Sequence, residues 1–172
     1  MFIFLIGFMG SGKSTVGKKL ASQLQYKFID LDDTIAAKNG KSVLEIFKSN
    51  GEAYFRKLES EVLRNISNVE NAVIAAGGGT PCFNDNMKWM NENGITVFLK
   101  AHLATIFHRV ALSKAKRPLI SDLNDADLME FIVDEYKNRL PFYSQASITV
   151  KAENIKVDEL VNSIKPLIET EY

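Results

Sequence analysis

The chain has 172 residues, 46% of them hydrophobic, the size of one domain able to bury roughly 70% of its unfolded surface. Lysine plus arginine and aspartate plus glutamate number 21 each, so no net positive field gathers nucleic acid or an anionic membrane, and composition argues against both as partners. The single cysteine, Cys82, cannot form an internal disulfide and suits a reducing compartment.

Met1 to Ile6 is apolar but runs straight into glycine, without a basic leader and far short of a membrane span, so Phe2–Ile6 is predicted as a buried strand. Nothing later is long or apolar enough to cross a bilayer, and a cytoplasmic setting is the expectation. A helix is predicted over Lys13–Leu24, a strand over Tyr26–Asp30 and helical material from Ser42 to Ile66. Further strands are predicted at Ala72–Ala75, Ile95–Leu99 and Ile148–Val150, and further helices at Asp85–Asn91, Leu103–Leu112, Asp125–Arg139 and Val157–Ile168. Strands alternating with helices imply an α/β fold whose parallel sheet is covered on both faces. With no repeat and no linker-like run, a single domain over 1–172 is expected. Ligands in such folds sit at the carboxyl ends of the strands.

Gly7-Phe8-Met9-Gly10-Ser11-Gly12-Lys13-Ser14 fits G-x-x-x-x-G-K-[ST] directly after a strand and before a helix. The glycines let the backbone curl around phosphate oxygens, and the helix presents its positive end to the same anion. Lys13 would reach the β- and γ-phosphates and Ser14 would ligate Mg²⁺. A dinucleotide-binding G-x-G-x-x-G is excluded, because Thr15 holds the third glycine's position. The ligand is then a nucleoside triphosphate.

Asp30 and Asp32 close the second strand two residues apart, on one side of an extended backbone. Two jobs in phosphoryl transfer suit them, holding Mg²⁺ and orienting the attacking hydroxyl; the alternative is a solvated strand end with Asp32 or Asp33 capping a helix. Arg56 and Glu59 are three apart and would meet on one helix face, either as an oriented anion grip or as an ordinary surface ion pair. Gly77-Gly78-Gly79 follows a strand and removes every side chain there, for close approach to a ligand or for a mobile turn. Ser113 to Leu119 is polar and basic and contains Pro118; it reads as a lid carrying Arg117 over the phosphates, or as a solvated loop.

In order along the chain, the phosphate loop, the aspartate pair, Ile46-Phe47 with Gly51 to Glu59, the three glycines, Arg117-Pro118-Leu119 and Arg139 ahead of Phe142-Tyr143 resemble the shikimate kinase family. The Gly-Glu-x-x-Phe-Arg segment followed by three glycines is far narrower than the phosphate loop, and the resemblance spans almost the whole chain. It implies a three-layer P-loop kinase fold of the nucleoside-monophosphate-kinase branch, with a central parallel five-stranded sheet. It also implies transfer of the γ-phosphoryl group of ATP to the 3-hydroxyl of shikimate, with Mg²⁺, in aromatic amino-acid biosynthesis, by a monomer.

Carried over residue by residue, the resemblance makes Lys13, Asp32 and Arg117 catalytic and gives Ser14 and Asp30 to the metal. Gly10, Ser11, Gly12, Lys13, Ser14 and Thr15 would hold the phosphates with Arg117, and Arg109 and Asn154 would flank the adenine. Asp32, Phe55, Arg56 and Arg139 would contact shikimate, with the backbone of Gly77, Gly78 and Gly79 against its ring. The substrate-binding region is expected at about 32–62 and the lid at about 112–124. Two departures from the family pattern stand out: no proline occurs in the loop from Lys151 to Asn154, and Thr80-Pro81 replaces small apolar residues after the glycines. A gluconate kinase on the same phosphate loop is one alternative, against which Arg56, Arg139 and the three glycines argue. A catalytically silent nucleotide-binding module is another, against which the joint presence of Lys13, Asp32 and Arg117 argues.

Overall fold

The computed structural model describes residues 1–66, 69–113, 120 and 122–169. The strands are β1 (Phe2–Ile6), β2 (Lys27–Asp30), β3 (Ala72–Ala75), β4 (Ile95–Lys100) and β5 (Ile148–Lys151). They form one sheet in the order β2-β3-β1-β4-β5, every pair parallel. The helices are α1 (Lys13–Leu24), α2 (Leu31–Asn39), α3 (Val43–Arg64), α4 (Asn86–Asn93), α5 (Leu103–Ala111), α6 (Asp125–Tyr143) and α7 (Val157–Glu169). The predicted α/β architecture and its parallel five-stranded sheet are present.

Position in the sheet explains the sequence of each strand. The inner strands β1, β3 and β4 are covered on both faces and read as apolar runs, broken only by the buried Thr96 and the terminal Lys100 of β4, with Ile3, Phe4, Leu5, Val73, Ile74 and Val97 fully buried. The edge strand β5 alternates instead, with Ile148 and Val150 half-buried and Thr149 and Lys151 exposed. Because β3 and β4 flank β1 on opposite sides, the chain reverses direction across the sheet there. The crevice beyond the ends of β1 and β3 is therefore the expected ligand position.

Two predicted elements change. The stretch after β2, read as a strand end or a helix capped by Asp32 or Asp33, is the helix α2 (Leu31–Asn39), capped by Asp30. The long helix α3 opens on a capping box, in which Ser42 Oγ accepts from the Glu45 amide at 3.2 Å and the Ser42 amide donates to Glu45 Oε2 at 2.7 Å. It is then broken at Gly51, whose φ of 79° and ψ of 172° are non-helical. That break re-aims the second half, which carries Phe55, Arg56 and Glu59. Among the described residues no helix is long and apolar enough to cross a membrane.

Candidate functional site

The phosphate loop owes its shape to three glycines with positive φ, Gly7 (143°), Gly10 (79°) and Gly12 (96°), a region that L side chains rarely adopt. Gly12 is the N-cap of α1 and offers no side-chain acceptor to its first amides, an arrangement in which an anion takes that place. Lys13 Nζ donates to the carbonyls of Gly7 at 2.8 Å and Phe8 at 3.0 Å, holding its charge inside the loop. Ser11 Oγ is buried with no hydrogen-bond partner.

A cleft of about 310 Å³ opens beside this loop, lined by Lys13, Ser14, Asp30, Asp32, Gly77 and Gly78 among others. Both aspartates reach it, but not by strand alternation as expected. The strand ends at Asp30, which becomes the N-cap of α2: its Oδ1 accepts from the Asp32 amide at 3.2 Å, and its carbonyl accepts from Thr34 Oγ1 at 2.8 Å. Asp32 thus stands in the first turn of a helix, and Asp30, not Asp32 or Asp33, is the cap. Ser14 Oγ donates to Asp30 Oδ2 at 2.7 Å, so a hydroxyl and a carboxylate, both hard oxygen donors, meet at the start of α1. That pair fits Mg²⁺, which commonly takes one or two protein oxygens and completes its shell with phosphate and water.

Asp32 Oδ1 is buried and has no hydrogen-bond partner. Burial, then the negative charges of Glu59 and Asp30, push its carboxyl up to about 6, against the opposing pull of Lys13 and Arg56. A carboxylate in this range is matched to exchanging a proton near neutral pH.

Two arginines converge on the three glycines. Arg56, 8% exposed, is not a surface ion pair: Nη1 donates to Glu59 Oε2 at 3.0 Å, while Nε and Nη2 donate to Glu52 Oε1 at 3.2 and 3.1 Å. Its guanidinium carbon lies 4.5 Å from the Phe83 ring centroid and 5.3 Å from that of Phe55. Phe55 itself is core, 2% exposed and tilted against Phe47 at 4.5 Å. Arg139, 6% exposed, pairs with Glu135 and lies over Phe8 at 5.2 Å.

The glycines make room for these groups. A Cβ on Gly79 would meet the Arg56 guanidinium carbon at 2.7 Å, and one on Gly78 would approach Arg139 Nη1 at 3.4 Å and the Met9 amide at 3.1 Å. The Gly78 carbonyl accepts from the Tyr143 hydroxyl at 2.5 Å. Cys82, near both arginines, is pushed up to about 11 by burial, so its thiol stays protonated and unreactive.

A second cleft, of about 560 Å³, lies on the far side of the loop between Thr15, Arg109, Ala152 and Asn154. Arg109 Nη1 donates to the Gly10 carbonyl at 3.0 Å, and Asn154 takes a positive φ of 55°. Arg117, with 114–119 and 121 of the expected lid, lies outside the described residues.

A family model described as shikimate kinase matches residues 9–169. A shikimate kinase of Bacteroides thetaiotaomicron is 42% identical over 171 residues, covering 97% of this chain and 98% of that one. The chain belongs to the shikimate kinase family. A crystal structure of shikimate kinase from the same species superposes with a TM-score of 0.88, at 42% identity and with 98% of each chain covered. Shikimate kinase from Acinetobacter baumannii, solved in complex with shikimate, gives 0.84 at 31% identity, covering 99% of this chain and 93% of that one. As a member of the family the chain is an enzyme, a P-loop kinase with ATP as co-substrate and Mg²⁺ as cofactor.

The site also contains contacts that motif reading did not assign. Glu135 stands one helical turn before Arg139, a spacing that could have been read from the sequence. Tyr143 and Thr80, both named in the sequence reading, bond across 65 and 21 residues respectively, and no local signal announces those partners.

Proposed function

We propose the following division of labour for the family's reaction, in which the γ-phosphoryl group of ATP passes to the 3-hydroxyl of shikimate. Lys13 and the loop amides hold the β- and γ-phosphates and offset the charge that builds on them during transfer. Asp32 orients the 3-hydroxyl through its unpartnered Oδ1 and takes the proton as the hydroxyl oxygen bonds to phosphorus. The bond between phosphorus and the β–γ bridging oxygen breaks, and ADP and shikimate 3-phosphate leave. Ser14 and Asp30 would hold Mg²⁺, which when bound neutralises phosphate charge.

Arg56 and Arg139 grip the shikimate carboxylate, and the glycine backbone leaves room for the ring. Arg109 and Asn154 flank the adenine, and Arg117 closes over the phosphates from the lid. A monomer with one domain over 1–172 is what the family resemblance implies, and the thiol of Cys82 suits the cytoplasm.

The observation that carries the proposal is the pair of buried arginines, each already oriented by carboxylates, meeting at a side-chain-free turn beside the phosphate loop. Two guanidiniums held in fixed orientation at one turn can together receive an external carboxylate. Coupled ADP release with ATP, Mg²⁺ and a panel of shikimate, gluconate and nucleoside monophosphates tests it. Turnover with shikimate alone supports the assignment; turnover with gluconate instead would reassign the arginines, and binding of ATP with no turnover would return the silent-module reading.

A further inference from the structure

Thr80 is one of the two residues that depart from the family pattern after the three glycines, and it is fully buried. Its backbone is held at both ends: the amide donates to the Gly77 carbonyl at 3.1 Å, and the carbonyl accepts from Asn86 Nδ2 at 2.9 Å. The hydroxyl is thereby aimed at α3, where it donates to Glu59 Oε1 at 2.6 Å. Glu59 is also fully buried, and its other oxygen, Oε2, receives Arg56 Nη1 at 3.0 Å. A carboxylate with no water around it needs both oxygens served, and here one is served by the guanidinium and one by the threonine.

The geometry leaves no slack in this chain. A Cβ at Gly77 would fall 2.8 Å from Glu59 Oε1 and 2.9 Å from Thr80 Oγ1, so the first glycine of the three is the one that admits this hydrogen bond. We propose that Thr80 is a positioning residue for Arg56, fixing through Glu59 the orientation in which the guanidinium meets the acceptor's carboxylate. The proposal rests on the reading of Arg56 as a substrate clamp. Without the hydroxyl, Glu59 Oε1 is left buried and unserved. The carboxylate then rotates towards another donor or takes up a proton, and either change loosens its hold on Nη1. Glu52 still holds Nε and Nη2, so the arginine remains in place but is no longer locked in orientation.

The test is steady-state kinetics on Thr80→Val, Thr80→Ala and Thr80→Ser, with thermal melting of each and with Arg56→Ala in parallel. Val keeps the shape, Ala guards against misfolding by overpacking, and Ser restores the hydroxyl. Expected for Val and Ala is a rise of about 5- to 20-fold in shikimate KM, the loss of one charge-assisted hydrogen bond. The ATP KM should hold within about 2-fold, and Ser should return shikimate KM to near the parent. In a Glu59→Gln background the Thr80 change should add little further, because the two act in one chain. A lowered melting temperature with unchanged shikimate KM would make Thr80 merely structural and overturn the proposal, as would fully additive effects with Glu59→Gln. An unchanged shikimate KM in Arg56→Ala would instead overturn the clamp reading itself.

Discussion

The nucleotide half and the acceptor half of the cleft are built on different principles. In the nucleotide half as proposed, contiguous residues from Gly7 to Thr15 supply the groups: three glycines bend the chain, Lys13 folds back onto its own loop's carbonyls, and the helix follows at once. Around the acceptor, side chains arrive from α2, α3, α6 and the turn after β3, tied by hydrogen bonds that span 21 to 65 residues. The first half needs only one strand to hold its loop. The second buries Arg56, Arg139 and Glu59 nearly completely, and each must be paired for the fold to tolerate it. Substitutions should therefore separate the two halves by which kinetic constant moves.

The largest effect is expected from Lys13→Ala. Removing the one ammonium inside the loop should lower kcat by roughly 10³-fold, the scale of a lost transition-state donor. Shikimate binding, measured by calorimetry, should persist. Next comes Arg139→Ala, which should raise shikimate KM by roughly 10- to 100-fold, the loss of a charge-assisted pair, with ATP KM nearly unchanged. Equal damage to both constants would erase the distinction between the halves and remove Arg139 from the clamp.

A smaller effect of a different kind is expected from Tyr143→Phe. The lost hydroxyl leaves the Gly78 carbonyl without its donor, which costs about 1 kcal/mol and about 2–4 °C in Tm for a chain of this size. Shikimate KM should rise a few-fold as the turn relaxes. A melting temperature equal to the parent's would show that the Gly78 carbonyl finds another donor.

The same contrast governs what is legible in the sequence. The phosphate loop could be read outright, because its chemistry is contiguous and its context of strand then helix is itself a sequence pattern. The sheet is legible too, since β1 and β3 are apolar throughout, β4 is apolar but for Thr96 and Lys100, and all three lie inside it. Arg56 with Glu59 was visible as a spacing, but burial decided between an oriented grip and a surface pair, and burial is a tertiary fact. The aspartates were found for the wrong geometric reason: Asp30 caps α2, a helix whose sequence Leu31-Asp32-Asp33-Thr34-Ile35 offers only two buried apolar residues and so a weak period. The residues Thr80 and Tyr143 are visible in the sequence, but their roles are not, because nothing within several residues of either marks its partner.

The smallest effect tests the nucleotide half where it ceases to be local. Glu153, in the loop beside Asn154, accepts the His102 amide on Oε1 at 2.7 Å and so caps α5 from outside. That helix carries Arg109, whose guanidinium reaches the Gly10 carbonyl, so one carboxylate spaces the two walls of the second cleft. Slight burial pushes its carboxyl up, but the His102 amide, its own backbone amide and the Thr105 hydroxyl outweigh this and hold it below the usual glutamate range. A lowered pKa means that its contribution is full near neutral pH and is lost as the pH falls through the lowered value. Glu153→Gln keeps an acceptor and removes only the charge at the helix N-terminus, worth about 0.3–1 kcal/mol where it is exposed. ATP KM should rise about 2- to 3-fold at low salt, and the gap should narrow at roughly 0.5 M salt, where exposed charges are screened. A rise in shikimate KM instead would mean that this loop reports to the acceptor half, and the two halves would then be mechanically one.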